Sequence, residues 1–205
     1  MPEQNNSAAG VQAECCSTVD SSASGCCVSL CPMCDDFVNV ILGSLKKVDT
    51  SKVYAATDHL STIYRGRQAH VLDCARALFL HAFKDNVHMM GRFSFSKGCP
   101  KEAAGFMELD DKLSNAGING NFYAYAKISL YALGVTDYKE HNRFVFDLAE
   151  KHRLKPKPAY NGVILEGSAD QLFTFLGEAV SYAHNTLPRY ALEAVLSVNS
   201  PSPVK

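Results

Sequence analysis

The sequence predicts an α+β protein made by tandem duplication of a βαββαβ unit, and three observations carry that prediction. Its segments recur in the same order at an offset of about one hundred residues. Its hydrophobic spacing switches between the period of a strand and that of a helix in the order β-α-β-β-α-β, twice over. Its 205 residues, 47% hydrophobic and 20% charged, suffice for one large domain or two small ones.

The duplication is legible in three places. "VSLCPMCDDF", from Val28, resembles "ISLYALGVTDY", from Ile128. "TIYRGRQAHVLDCARALFLHA" resembles "VILEGSADQLFTFLGEAVSYA", with the glycine of Arg65-Gly66 kept at Glu166-Gly167. "FSFSKGCP", from Phe93, sits over "LSVNSPSP", from Leu196.

In the first unit, Val28 to Cys31 is a short apolar strand. Asp35 or Cys34 can cap the helix that follows, whose apolar positions Phe37, Val38, Ile41, Leu42 and Leu45 recur with helical spacing. Strands follow around 52–57 and 60–65. Val71, Leu72, Ala75, Leu78, Phe79 and Ala82 mark one face of a second helix over 68–84. Residues 87–96 alternate Met89, Phe93 and Phe95 against Met90, Arg92, Ser94 and Ser96, a strand with one buried face. The second unit repeats the order, with a strand at 126–132, a helix from Tyr138 to about His152 opened by a capping box of Asp137 and Glu140, a helix at 169–184 and a strand at 190–199.

That order is the ferredoxin-like arrangement, in which both helices of a unit cover one face of a four-stranded antiparallel sheet and the other face stays bare. Strand alternation turns Val28 and Leu30, or Ile128 and Leu130, toward the helices. It turns Cys27, Ser29 and Cys31, or Ser129 and Tyr131, toward the bare face, with Ser94 and Ser197. A bare face of that size calls for a partner, so homodimerisation or packing between the halves is expected. The expected organisation is a disordered extension over 1–24, one domain over 25–100, a linker over 101–123 and a second domain over 124–203.

With 20 basic against 21 acidic residues, the net charge of -1 gives no field that gathers nucleic acid or anionic lipid. The longest apolar runs, such as "ALFLHAF", are too short to span a bilayer. Residues 1–24 show no apolar block like a signal peptide, so the expected location is the cytoplasm, with the eight cysteines as reduced thiols. Cys31 and Cys34 have zinc-knuckle spacing without a second pair, so no metal site is expected.

"KVYAATDHLSTIYRGR", residues 52–67, does not fit a plain hairpin, because its centre holds Thr57, Asp58, His59, Ser61 and Thr62 where a turn such as Asn-Gly would suffice. Asp58 is also a natural turn cap, Arg65 a natural ion-pair partner, and Tyr54 and Tyr64 natural packing residues. His70 and Cys74, four apart on a helix, lack an evident acid to orient them.

"LCPMCDDFVNVI", "KKVDTSKVYAATDHLSTIYRG", "HVLDCARALFLHA" and "FSFSKGCP" resemble the YkoF family of thiamine- and hydroxymethylpyrimidine-binding proteins, densely over about 25–100 and more loosely over 126–203. The resemblance implies a dimeric cytoplasmic protein of two ferredoxin-like domains, each with a ligand pocket. It also implies a role in thiamine-precursor uptake beside a vitamin transporter, with no resident cofactor. It directs the hairpin residues to an aminopyrimidine: Asp58 to accept from the exocyclic amine, Ser61 and Thr57 to hydrogen-bond the ring, and Tyr54 or Tyr64 to cover its face. His59, Thr62 and Ser29 complete the candidate set. The second half has Ala159, Tyr160, Asn161 and Gly162 where the first has Asp58, His59, Leu60 and Ser61, so its acceptor is expected to be missing and its site weaker. A non-catalytic binder leads the functional classes, ahead of a small thiol- or carboxylate-dependent enzyme and a purely structural dimerisation module.

Overall fold

The computed structural model describes residues 23–97 and 102–202. The extension read as disordered lies outside them except for Ala23 and Ser24, as do Cys15, Cys16 and Cys99. The elements run β1 (Ser24–Pro32), α1 (Phe37–Leu45), β2 (Tyr54–Thr57), β3 (Thr62–Gly66), α2 (Gln68–Ala82) and β4 (Met89–Lys97) in the first half. The second half has β5 (Tyr123–Leu133), α3 (Tyr138–Lys151), β6 (Lys157–Ala159), β7 (Gly162–Ser168), α4 (Ala169–Thr186) and β8 (Arg189–Val198). The twofold βαββαβ order is therefore present.

All eight strands belong to one antiparallel sheet of order β2-β3-β1-β4-β8-β5-β7-β6. Each half supplies a ferredoxin-like set of four, and the sets join edge to edge where β4 pairs with β8 from Met89↔Val198 to Ser96↔Ala191. The expected packing of the halves through their bare faces is corrected by this join. Two long edge strands satisfy each other's N–H and C=O groups, and the bare faces become one continuous surface.

The duplication extends to register, with Val28 opposite Phe93 in the first half and Ile128 opposite Ala194 in the second. The last strands therefore superpose Phe95 on Leu196, two residues from the match read in the sequence. β1 begins at Ser24, earlier than its apolar core at Val28, because "SGCC" finds partners on both sides, Gly66–Ile63 of β3 and Lys97–Ser94 of β4. Pairing thus overrides the weak strand preference of Ser and Gly.

The helices share one face, and the core between helices and sheet crosses the join. Phe79 of α2, Phe93 of β4 and Phe173 of α4 meet with ring centroids 5.5 to 5.8 Å apart. Gly91 admits the Phe79 ring, since a Cβ there would lie 2.7 Å from it. The expected capping box at Asp137 and Glu140 does not form; Asp137 instead faces His141 at 3.4 Å. A capping box does open α4, where Ser168 and Gln171 exchange side-chain to backbone hydrogen bonds.

The connection between the halves is tied down by Asn115, which is buried. Its amide nitrogen donates to the Asp49 carbonyl and to the Asp73 carboxylate, both at 3.0 Å, and its Oδ1 accepts from the Asp49 N–H at 2.8 Å. Loss of these bonds leaves the buried Asp73 carboxylate short of a donor, which costs about 1–3 kcal/mol. Asn115→Ala is expected to lower the urea-unfolding free energy by about 2 kcal/mol; a change under about 0.5 kcal/mol, the range of ordinary surface substitutions, would show that the clasp is dispensable.

Candidate functional site

Helix α1 carries more apolar surface than the core absorbs. Its inward positions are Val40 and Ser44, while Phe37, Val38 and Leu42 are about half exposed, so the core face read from the sequence is corrected. Ser44 reaches the core because its hydroxyl donates to the Val40 carbonyl at 2.6 Å. Of the apolar positions of α1, Ile41, Leu42 and Leu45 face a cavity.

That cavity, of about 280 Å³, is walled by Ile41, Leu42 and Leu45 of α1, by Leu78 of α2, by Val28, Ser29 and Leu30 of β1, and by residues 57–62 of the β2–β3 hairpin. Its polar groups come from the hairpin. Thr57 and Thr62 form the last pair of the ladder and face each other, hydroxyl to hydroxyl, at 3.0 Å. Either oxygen can donate or accept, so the pair adapts to a ligand edge that offers both. Ser29 ties the tip down by donating to the Leu60 carbonyl at 2.8 Å, and the Cys27 thiol donates to the Ser61 hydroxyl at 3.0 Å.

Asp58 organises the turn. Its Oδ1 accepts from the N–H groups of Leu60 and Ser61 at 2.7 and 2.8 Å, and its own N–H closes the hairpin onto the Ser61 carbonyl at 2.9 Å. The Leu60 and Ser61 amides hold its carboxyl below the ordinary value of 3.8. Asp58 is exposed at the mouth, and His59 follows it on the rim.

The structure thus gathers six of the eight candidate residues, Ser29, Thr57, Asp58, His59, Ser61 and Thr62, around one cavity. It does not bring in the tyrosines. Tyr64 lies opposite Cys26, 1% exposed beneath the helices, two residues along the strand from Thr62 or about 7 Å away. Tyr54 lies opposite Arg65 on the bare face, and Arg65 pairs with Glu102 at 2.8 Å. The first cavity therefore has no aromatic lid among these residues. The aliphatic wall from α1 was missed because its spacing also reads as an ordinary core face. The equivalent Ser129, expected on the bare face, is buried there under Gly162, where a Cβ would stand 2.6 Å from the serine hydroxyl oxygen.

The second half opens a cavity of about 370 Å³ at the equivalent place, between β5, α3 and the β6–β7 hairpin. Register makes Pro158 the counterpart of Thr57 and Val163 that of Thr62. Ala159 stands in place of Asp58, so the hairpin of this half lacks that carboxylate, and Asn142 and Asn161 are among the residues that line this cavity, with Tyr131, Tyr138 and Phe146. Spacing within the hairpin gave no sign of Asn142, which arrives from the helix.

The thiol candidates are placed differently. Cys74 donates to the Asp49 carbonyl at 3.5 Å, and His70 bonds the Asp110 carbonyl at 2.7 Å rather than the thiol. Burial, reinforced by the carboxylates of Asp73 and Asp49, pushes the Cys74 thiol up to about 12. Among the described residues no cluster of three His, Cys, Asp or Glu could hold a metal, and no helix is long and apolar enough to cross a membrane.

A tandem ferredoxin-like repeat with one cavity per repeat, rimmed by hydrogen-bonding groups, is the class that this fold and site define. The model of the YKOF-related family matches residues 23–102 and 123–203, and the chain belongs to that family. It is similar to a Bacillus subtilis (strain 168) protein named "Putative HMP/thiamine-binding protein YkoF", with 35% identity over 178 residues that cover 85% of this chain and 89% of that one.

Two outcomes follow from the titrating groups. A thiol raised from 9.0 to about 12 has about a thousandfold less thiolate at neutral pH, so iodoacetamide is expected to spare Cys74 until denaturant is added; rapid labelling of the native protein, read by peptide mass spectrometry, would refute this. Because its folded value lies below its free one, Asp58 supports the turn above about pH 4 and loses it as pH falls through the folded value. The Leu60 and Ser61 amide resonances are expected to show an acid transition centred below 3.8 that Asp58→Asn removes; no such transition in the unaltered protein would refute this.

Proposed function

We propose that the protein is a non-catalytic binder of thiamine or its hydroxymethylpyrimidine half, with the first cavity as a ligand site and its counterpart in the second half as another. The observation that carries this reading is that both repeats leave a cavity at the same place, between the hairpin tip and the first helix, lined by polar and apolar residues together. Cavities of about 280 and 370 Å³ are near the small end of the usual range for ligand sites, as one substituted heterocycle requires. An aminopyrimidine presents an amine donor beside a ring-nitrogen acceptor, and the Thr57–Thr62 hydroxyl pair or an asparagine amide answers both. A partly buried site built this way rejects analogues without the amine, since its own groups then go unpaired. The Bacillus subtilis relative, named "Putative HMP/thiamine-binding protein YkoF", supports the ligand class.

In this reading the chain serves thiamine-precursor uptake or salvage in the cytoplasm, beside a vitamin transporter. It acts as a homodimer, and a second copy covers the continuous bare face of the eight-stranded sheet. The domains divide at the connecting segment, with one site each. Ligand handling requires no thiol chemistry, which suits the protonated state of Cys74.

Calorimetric titration of the purified chain with thiamine and with hydroxymethylpyrimidine tests the proposal. Binding without any new product by mass spectrometry is expected, together with a ligand-dependent rise in melting temperature. Thr62→Val is expected to weaken binding roughly five- to thirtyfold, the worth of a hydrogen bond in a buried site. Absence of heat and of any melting shift with both ligands would end this reading.

A further inference from the structure

The two cavities lie at the same place in their repeats and are unlike at their mouths. At the first, Asp58 stands exposed with Oδ1 taken up by the Leu60 and Ser61 amides, while among the described residues no hydrogen bond reaches Oδ2. At the matching register the second half has Ala159, followed by Tyr160. No acidic or basic residue lines the second cavity, whose polar lining residues are Asn142, Asn161, Tyr131 and Tyr138.

We propose that the mouths sort ligands by charge: the first cavity favours an aminopyrimidine that carries a second, permanently cationic ring, and the second cavity has no such electrostatic preference. The inference rests on the reading that both cavities take the pyrimidine ring. A cavity of about 280 Å³ is filled by one substituted heterocycle, so a second ring attached to it emerges at the mouth, beside Asp58. The turn holds that carboxylate in place before any ligand arrives, so no side-chain freedom is lost when a cation meets it. Across a solvent-exposed gap the attraction is worth roughly fivefold in affinity, and it is screened by salt. The ring of Tyr138 also attracts a cation, but only at contact, and that attraction does not fade over the same salt range.

Isothermal titration of thiamine and of hydroxymethylpyrimidine at low and high salt separates the two mouths. Ala132→Phe fills the second cavity and Ile41→Trp the first, so that each can be read alone. At the first cavity thiamine is expected to bind about fivefold more tightly than hydroxymethylpyrimidine in dilute buffer, an advantage that falls below about twofold at about 0.5 M salt. Asp58→Asn is expected to remove that advantage at low salt and to leave the hydroxymethylpyrimidine affinity within about twofold. At the second cavity the ratio of the two affinities is expected to respond neither to salt nor to Asp58→Asn. A salt-insensitive ratio at the first cavity, or equal weakening of both ligands by Asp58→Asn, overturns the sorting while the binding reading stands. Binding of neither ligand by the unaltered chain overturns the binding reading, and the sorting with it. If a filling variant melts early, the same salt series on the unaltered chain, resolved as two sites with and without Asp58→Asn, decides the matter.

Discussion

The pairing of β4 with β8 is the constraint on which the rest of the molecule depends. Each strand is a long outer edge of its own repeat, and alone each would leave a row of backbone donors and acceptors open to any passing chain. Joined, they make a single ladder in which the two-residue alternation of side chains passes from one repeat to the other without a slip. Val28, Phe93, Ala194 and Ile128 consequently stand in one row on one face. All four helices must then pack on that face, and the Phe79, Phe93 and Phe173 rings lock the repeats through a shared core. The opposite face carries a row of mostly small or polar side chains, with Cys27, Ser94, Glu193 and Ser129 at its centre.

The cavities lie on the flanks of this frame because the first helix of each repeat is the more weakly seated one. Helix α2 is buried almost all round, pressed between the sheet and the connecting segment that Asn115 fastens. Helix α1 sits farther out and spends its apolar surface on the cavity rather than on the core. The hairpin tip supplies the remaining wall, at the point where the ladder between β1 and β3 ends at Val28 and Thr62. Beyond that pair the chain no longer owes its polar groups to sheet pairing, which is why hydroxyls and amides collect there. The same geometry serves both repeats, and the residues at the tip set them apart.

Asp58 shows how one carboxylate can hold a turn and still present an oxygen at the surface. One of its oxygens answers two backbone amides, and the residue is exposed. Its charge therefore stands at the exposed tip, next to the hydroxyl pair of Thr57 and Thr62, and the second repeat has Ala159 at this register. A charged group within a small apolar chamber would suffer desolvation, and at the rim it does not.

The order of elements, the duplication, the inward and outward sides of the first and last strands of each repeat and the hairpin as the polar centre of the first repeat were all legible in the amino-acid sequence. Those features arise from local spacing and from comparison of the chain with itself, and both survive whatever the distant residues do. The union of the two sheets, the outward turn of α1, the placement of Tyr64 below the helices and Tyr54 on the bare face, and the arrival of Asn142 at the second cavity were decided by tertiary structure alone. Each of these depends on which residues far apart in the chain come into contact, and a helical or strand period states that a face is apolar without stating what will lie against it.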